Sequence, residues 1–264
     1  MHRDNLFWGL ILIFIGSLFL ADNLGYISFS WGYVWPALLI LFGFFILLGR
    51  SSGQVADAKH VTIPLDGASE AQIRLEHGAG RIKVTGGAES GNLISGDFTN
   101  LDLSTNPSGL TLKVHLRTTL FGRPHFMFPW NWGDRGIEWN FALNENVPIS
   151  IDLDSGASEI DLDLRNVKLK YLDLDTGASS TKLFLPEKAG FSKVDLASGA
   201  ASHEITIPEG VAADIHVESG LSDISINESR FPLNGKHYTS PDYASAANRV
   251  ELNIETGVSS VKVI

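Results

Sequence analysis

Seven aspartates alternate with apolar residues through the middle of this chain: Asp152, Asp154, Asp161, Asp163, Asp173, Asp175 and Asp195. If the segments that hold them are strands lying side by side, one register sets Asp152 over Asp173 and Asp154 over Asp175 at a spacing of about 4.8 Å. Stacked carboxylates repel, and a hard cation such as calcium would relieve the repulsion. The pattern argues against that use, because Ala197 and then Glu218 follow Asp175 at the equivalent positions, and the glycine-rich nonapeptide of calcium-binding β-rolls does not occur. A solvated acidic face is the better reading, with no metal and no cofactor.

Other chemistry has little support. The eight histidines are scattered, without the H-x-x-H or H-E-x-x-H spacing of a histidine metal site. No phosphate-cradling G-x-x-x-x-G-K or G-x-G-x-x-G occurs. Serine, histidine and aspartate are plentiful, but their order alone picks out no triad. His203 stands alone at an inward strand position, where a tolerated or capping residue is the plainer reading than a ligand. The absence of cysteine excludes disulfides, thiolate zinc sites and cysteine catalysis. With 20 basic against 30 acidic residues, no basic stripe exists to neutralise phosphates, so nucleic acid is not an expected partner. The expectation is a protein that is not an enzyme.

Aromatic residues form the second cluster of interest. Phe121, Phe126, Phe128, Trp130 and Trp132 crowd together with Pro124, Pro129 and Gly133, and Trp139 and Phe141 follow on the next expected strand. Such rings suit an exposed anchor for a partner or a membrane surface. They equally suit a cap over the open end of a repeat fold, which is the simpler use. As a contact site, the candidates are Phe126, Phe128, Trp130 and Trp132.

The frame that must carry these residues is written in six copies of one phrase. It reads Leu75-Glu76-His77-Gly78-Ala79, Leu153-Asp154-Ser155-Gly156-Ala157, Leu174-Asp175-Thr176-Gly177-Ala178, Leu196-Ala197-Ser198-Gly199-Ala200, Val217-Glu218-Ser219-Gly220-Leu221 and Ile254-Glu255-Thr256-Gly257-Val258. The four central glycines recur at intervals of 21, 22 and 21 residues. Apolar residues stand five and three places before each glycine, and apolar residues stand four and six places after most of them, as Ile151 and Leu153 precede and Ile160 and Leu162 follow Gly156. Spacing by two is the strand period, so each copy is strand, glycine corner, strand. A rung this short holds no core of its own, and stacking successive rungs into a β-solenoid buries the apolar rows.

Gly78, Gly156, Gly177, Gly199, Gly220 and Gly257 are therefore structural corners, suited by tolerance of positive φ and of close backbone approach. The Ser or Thr that precedes most of them would form a hydroxyl ladder from rung to rung. Two gaps break the period. Residues 118–135 form a loop within the first gap, beside extra strands at Leu110–Leu116 and Ile137–Leu143, and residues 228–247 form an excursion between two ordinary rungs. The β-solenoid domain covers residues 60–264, after a polar linker at 51–59.

Residues 1–50 are a different material. Leu6–Ala21 and Asn23–Gly49 are free of charge and strongly apolar. The first run is slightly short for a spanning helix and the second is ample. No A-x-A-like cleavage site follows the first run, and the second arrives at once, which favours a two-helix transmembrane hairpin over a signal peptide. Trp31, Tyr33 and Trp35 near the connection are residue types of the membrane interface. Arg3 precedes the hairpin and Arg50 and Lys59 follow it, so the positive-inside rule sets both ends, and the β domain, in the cytoplasm.

The Phe7-Trp8-Gly9 start, Gly16, Asp22-Asn23-Leu24-Gly25 and the Trp35-Pro36 start of the second apolar run resemble the transmembrane region shared by LiaI and LiaF proteins of bacterial envelope-stress systems. The strand-glycine-strand repeats resemble the LiaF carboxy-terminal and toast-rack putative adhesin families, which are β-solenoids. The resemblance implies a non-enzymatic membrane protein of the LiaF type, with the lipid bilayer and a membrane sensor kinase or another envelope protein as partners. It also implies negative control of that kinase by contact. A surface adhesin or scaffold is the first alternative, and a carbohydrate-active enzyme on a β-solenoid is the second. Self-association is left open.

Overall fold

The computed structural model describes residues 58–119 and 137–264. The expected hairpin lies outside them, as do most of the 118–135 loop and Phe126, Phe128, Trp130 and Trp132. Every regular element among the described residues is a strand. In chain order these are β1 (Lys59–Pro64), β2 (Glu70–Gly86), β3 (Asn92–Phe98), β4 (Leu101–Ser108), β5 (Thr111–Thr118), β6 (Ile137–Leu143), β7 (Ile149–Asp163), β8 (Leu169–Phe184), β9 (Phe191–Thr206), β10 (Ala212–Ile226), β11 (Leu233–Asn234), β12 (His237–Thr239) and β13 (Arg249–Val263).

The long strands are bent. In β7, Ile149, Ile151, Leu153 and Ser155 are buried, and then Ser158, Ile160 and Leu162. Burial by twos slips phase between Ser155 and Ser158, so Gly156 and Ala157 both face outward and the strand turns a corner. The same slip occurs in β8 and β13. Each repeat thus has a first arm before its glycine and a second arm after it, both turning apolar side chains to one core.

β2, β7, β8, β9, β13 and β10 stack in parallel in that spatial order. This departs from simple stacking in chain order, because β13 enters between β9 and β10. Residues 227–248 make the difference: they carry the chain back across β10, so that the last strand arrives in the interior of the stack. There Leu252, Ile254, Val261 and Val263 of β13 are at most 1% exposed. Phe231, from the same excursion, is also buried in the core.

The two ends differ. Beside β2, strand β5 pairs in parallel with the first arm and β6 with the second, as two halves of a rung whose corner is replaced by the 119–136 connection. Beyond them, β4 adds to β5, and β3 then β1 add to β6, all antiparallel. At the far end, β12 pairs with β10 only at Asp214, Ile215 and His216.

Candidate functional site

The corner is where the repeats bring polar groups together, and its glycines are explained by crowding rather than by dihedral angle. None of Gly156, Gly177, Gly199, Gly220 and Gly257 is among the glycines with positive φ. A Cβ placed on Gly177 would instead stand 2.7 Å from the Gly156 carbonyl oxygen, and one on Gly199 would stand 2.8 Å from that of Gly177. Backbone oxygens cannot move aside as a flexible side chain does, so a side chain here must push the strands apart.

Inside the corner the residues one before and two after each glycine face one another. Their hydroxyls bond mostly within a strand: Ser155 with Ser158, and Thr176 with Ser179 at 2.9 Å. A rung-to-rung ladder survives only in part, through Ser198 to Thr256 at 3.1 Å and Ser259 to Ser222 at 2.9 Å.

His77 takes the place of Ser or Thr in β2 and is 2% exposed. Its Nε2 lies 3.3 Å from the Ile137 carbonyl oxygen and its Nδ1 lies 3.0 Å from Ser158 Oγ. A carbonyl only accepts, so Nε2 carries the proton, Nδ1 accepts from Ser158, and Ser158 accepts from Ser155. Burial pushes the imidazole down to about 4, against a smaller upward pull from the Ile137 carbonyl. The second buried pair is His203 with Ser198, 3.0 Å apart, and burial again lowers the histidine. A nucleophilic serine needs a basic, oriented histidine beside an accessible carbonyl-binding space. These buried, weakly basic rings hold the corner together instead.

The outward rows of the first arms are acidic. Register sets Asp152, Asp173 and Asp195 side by side, with Arg74 before them and Asn253 after. The parallel row reads Glu76, Asp154, Asp175, Ala197, Glu255, Glu218, so Glu255, and not Glu218, follows Ala197. Arg74 lies 3.5 Å from Asp152 and 3.0 Å from Asp154. Tyr171 Oη donates to Asp195 at 2.9 Å and Asn253 Nδ2 donates to it at 2.8 Å. Asp173 is raised above the usual carboxylate range, first by partial burial and then by Asp152 and Asp195. The row is held by the chain's own donors. Among the described residues, no three His, Asp or Glu side chains are arranged to hold a metal ion.

At the β2 end, Glu76, His77, Arg117, Thr118, Asp154, Ser155 and Asp175 line a shallow concave surface at the corner. The connection that carries the aromatic cluster leaves from this place: Arg117 is level with Glu76, and Ile137 with Gly80. Trp139 and Phe141, which continue the aromatic run, are core residues. Trp139 is fully buried, its Nε1 donates to the Thr99 carbonyl oxygen at 3.0 Å, and Phe98 packs against both rings. Sequence reasoning missed His77 as a corner residue, although its position one before the repeat glycine was the available signal.

Residues 6–47 match the LiaI-LiaF-like transmembrane region. No curated protein matches this chain. The crystal structure of a putative cell adhesion protein from Clostridium sporogenes has a TM-score of 0.71 at 22% identity, over 78% of this chain and 98% of that one. That likeness is one of fold. A putative adhesin from Bacteroides fragilis covers 80% of this chain and 100% of its own at 12% identity, with a TM-score of 0.26, too low for a shared fold to be argued. Residues 51–206 match the N-terminal domain of toast_rack, DUF2154, and the chain belongs to that family.

Proposed function

We propose that this is a non-enzymatic, membrane-anchored protein of the LiaF-like type, which regulates a membrane sensor kinase of the envelope-stress response by direct contact. The observation that carries the reading is the union, on one chain, of a LiaI-LiaF-like transmembrane region and a toast_rack domain. The corner chemistry supports it: buried histidines held as neutral hydrogen-bonding groups, and carboxylates satisfied by Arg74, Tyr171 and Asn253, leave the outward surface to recognition. In this reading the two apolar runs of residues 6–49 form a helical hairpin, the β domain is cytoplasmic, and Phe126, Phe128, Trp130 and Trp132 make the contact. A surface adhesin is the second reading, favoured by the name of the Clostridium sporogenes protein that shares the fold.

Crosslinking and capture from native membranes tests the contact. The full chain should retain one membrane partner that is reduced severalfold by combining Trp130→Ala with Trp132→Ala, at an unchanged melting temperature. Unchanged capture by the double variant would remove the aromatic residues from the contact. A reporter fused after Ile264 should be active in its cytoplasmic form, and activity only outside the cytoplasm would favour the adhesin.

A further inference from the structure

Among the described residues, the far end of the stack is left open on one arm. β10 pairs with β13 along both arms, but its other edge pairs with β12 only at Asp214–His216, so among the described residues no strand covers Val217–Ile226. Two apolar side chains there are exposed, Leu221 at 77% and Ile224 at 37%, and Val258 beside Leu221 on β13 is 58% exposed, while Val217 and Ile226 are half-buried against the core. In the row just after the corner glycine the residue is Ala79, Ala157, Ala178 and Ala200 on the first four strands, and becomes Val258 and Leu221 only on the last two.

Exposed edges invite pairing, and natural sheets guard them with lysine, proline or inward charges. β1 carries Lys59 and Pro64, and β4 carries Asp102 and Pro107. The second arm of β10, Leu221–Ile226, carries no lysine or proline, and its one charge, Asp223, faces outward. That difference leaves this edge unguarded among the described residues.

Charge selects the occupant. A second copy added antiparallel in the register that lays corner against corner would set Glu218 against Asp223 of its mate; a parallel copy in register would set each acid against itself. Like charges directly opposite destabilise a strand pair. A parallel newcomer also needs glycine at the corner, because a Cβ on Gly220 itself would meet the Gly257 carbonyl oxygen at 2.8 Å and the same crowding repeats at every step.

We propose that the β10 edge from Val217 to Ile226 is a strand-addition site for one extended segment of a partner protein, with apolar residues alternating and basic residues two before and three after a glycine. Main-chain hydrogen bonds supply affinity, and Glu218 and Asp223 supply selection. The site deepens the contact reading and rests on it.

The probe is a labelled peptide of residues 254–263 with Glu255→Lys and Ser260→Lys, which sets lysine opposite Glu218 and Asp223 in the register that β13 uses. Fluorescence anisotropy with the full chain in detergent should give saturable binding, about tenfold weaker for a peptide with Glu at both positions. Asp223→Lys in the chain should abolish that preference, and Glu218→Lys combined with Asp223→Lys should reverse it. No saturable binding below about 1 mM, a preference that Asp223→Lys leaves unchanged, or self-association of the chain through this edge overturns the proposal. Capture of a membrane partner that persists in Asp223→Lys, while the peptide fails to bind, would sink the strand site and leave the contact function standing.

Discussion

On the second arms, Lys83, Asp161, Lys182, Glu204 and Lys262 stand side by side across β2, β7, β8, β9 and β13, and the sign of the charge changes at every step. On the first arms of the same strands, Asp152, Asp173 and Asp195 stand side by side with one sign. The strands, their order and their spacing are common to both faces, so the fold does not impose the difference. Alternation lets one face neutralise itself, as Lys262 and Glu204 do at 3.2 Å. The acidic face depends on donors set around it, Arg74, Tyr171, Lys193 and Asn253. One face neutralises itself by alternation, and the other relies on donors placed around it.

The corner joins the two faces, and breaking it should have the largest effect. Gly177→Val should cost about 2–4 kcal/mol, since its side chain meets the Gly156 carbonyl oxygen. Gly109→Ala, in a turn with open space and φ of +64°, should cost only about 1 kcal/mol. Thermal melts would compare them, and equal losses would remove the corner from the account.

Acid should act next. His77 is held at about 4 in the fold against an ordinary value of 6.5, so the unfolded chain takes up the proton first as pH falls. Its contribution is flat above pH 6.5 and declines between 6.5 and 4, reaching a loss of about 2 kcal/mol at about pH 5. His203 shifts in the same direction. His77→Gln should flatten the melting-temperature slope between about pH 7 and 5; an unaltered slope would place the titration elsewhere.

Charge changes on the faces are the smallest effects and the sharpest test of their difference. Lys182→Glu should destabilise by about 0.5 kcal/mol, because it creates a like-charged run from Asp161 to Glu204. Asp173→Asn should be neutral or stabilising by a few tenths of a kcal/mol, about the value of one relieved repulsion. The carboxylate of Asp173 is raised in the fold, so its charged form opposes folding, and the benefit of Asp173→Asn should shrink as pH falls through that raised value. Opposite signs for the two variants in melts near neutral pH support the distinction between faces, and equal signs dissolve it.

Much of this frame is legible in the chain because a two-residue apolar period on either side of a glycine recurs at rung length. The spatial order of the last two strands is not, since β10 and β13 carry nearly the same inward set and only the return of residues 227–248 decides which lies inside. The Asp152–Asp173–Asp195 row follows from register, but the donation to Asp195 by Tyr171 and Asn253 depends on neighbours across two interfaces. His77 and Ser158 meet over 81 positions of sequence, and nothing local announces the pair. Trp139 and Phe141 follow the aromatic cluster on an expected strand, and strand alternation sends both into the core.

Calcium titration of the full chain tests most directly whether the acidic face is completed by the protein's own donors. Melting temperatures would be measured in detergent with chelator and then with rising calcium, at ionic strength held constant by sodium chloride. The account predicts curves within about 1 °C of one another, well below the shift that a bound ion at saturation would produce. A saturable rise of several degrees, lost in Asp173→Asn, would contradict it and make the aspartate row a metal site.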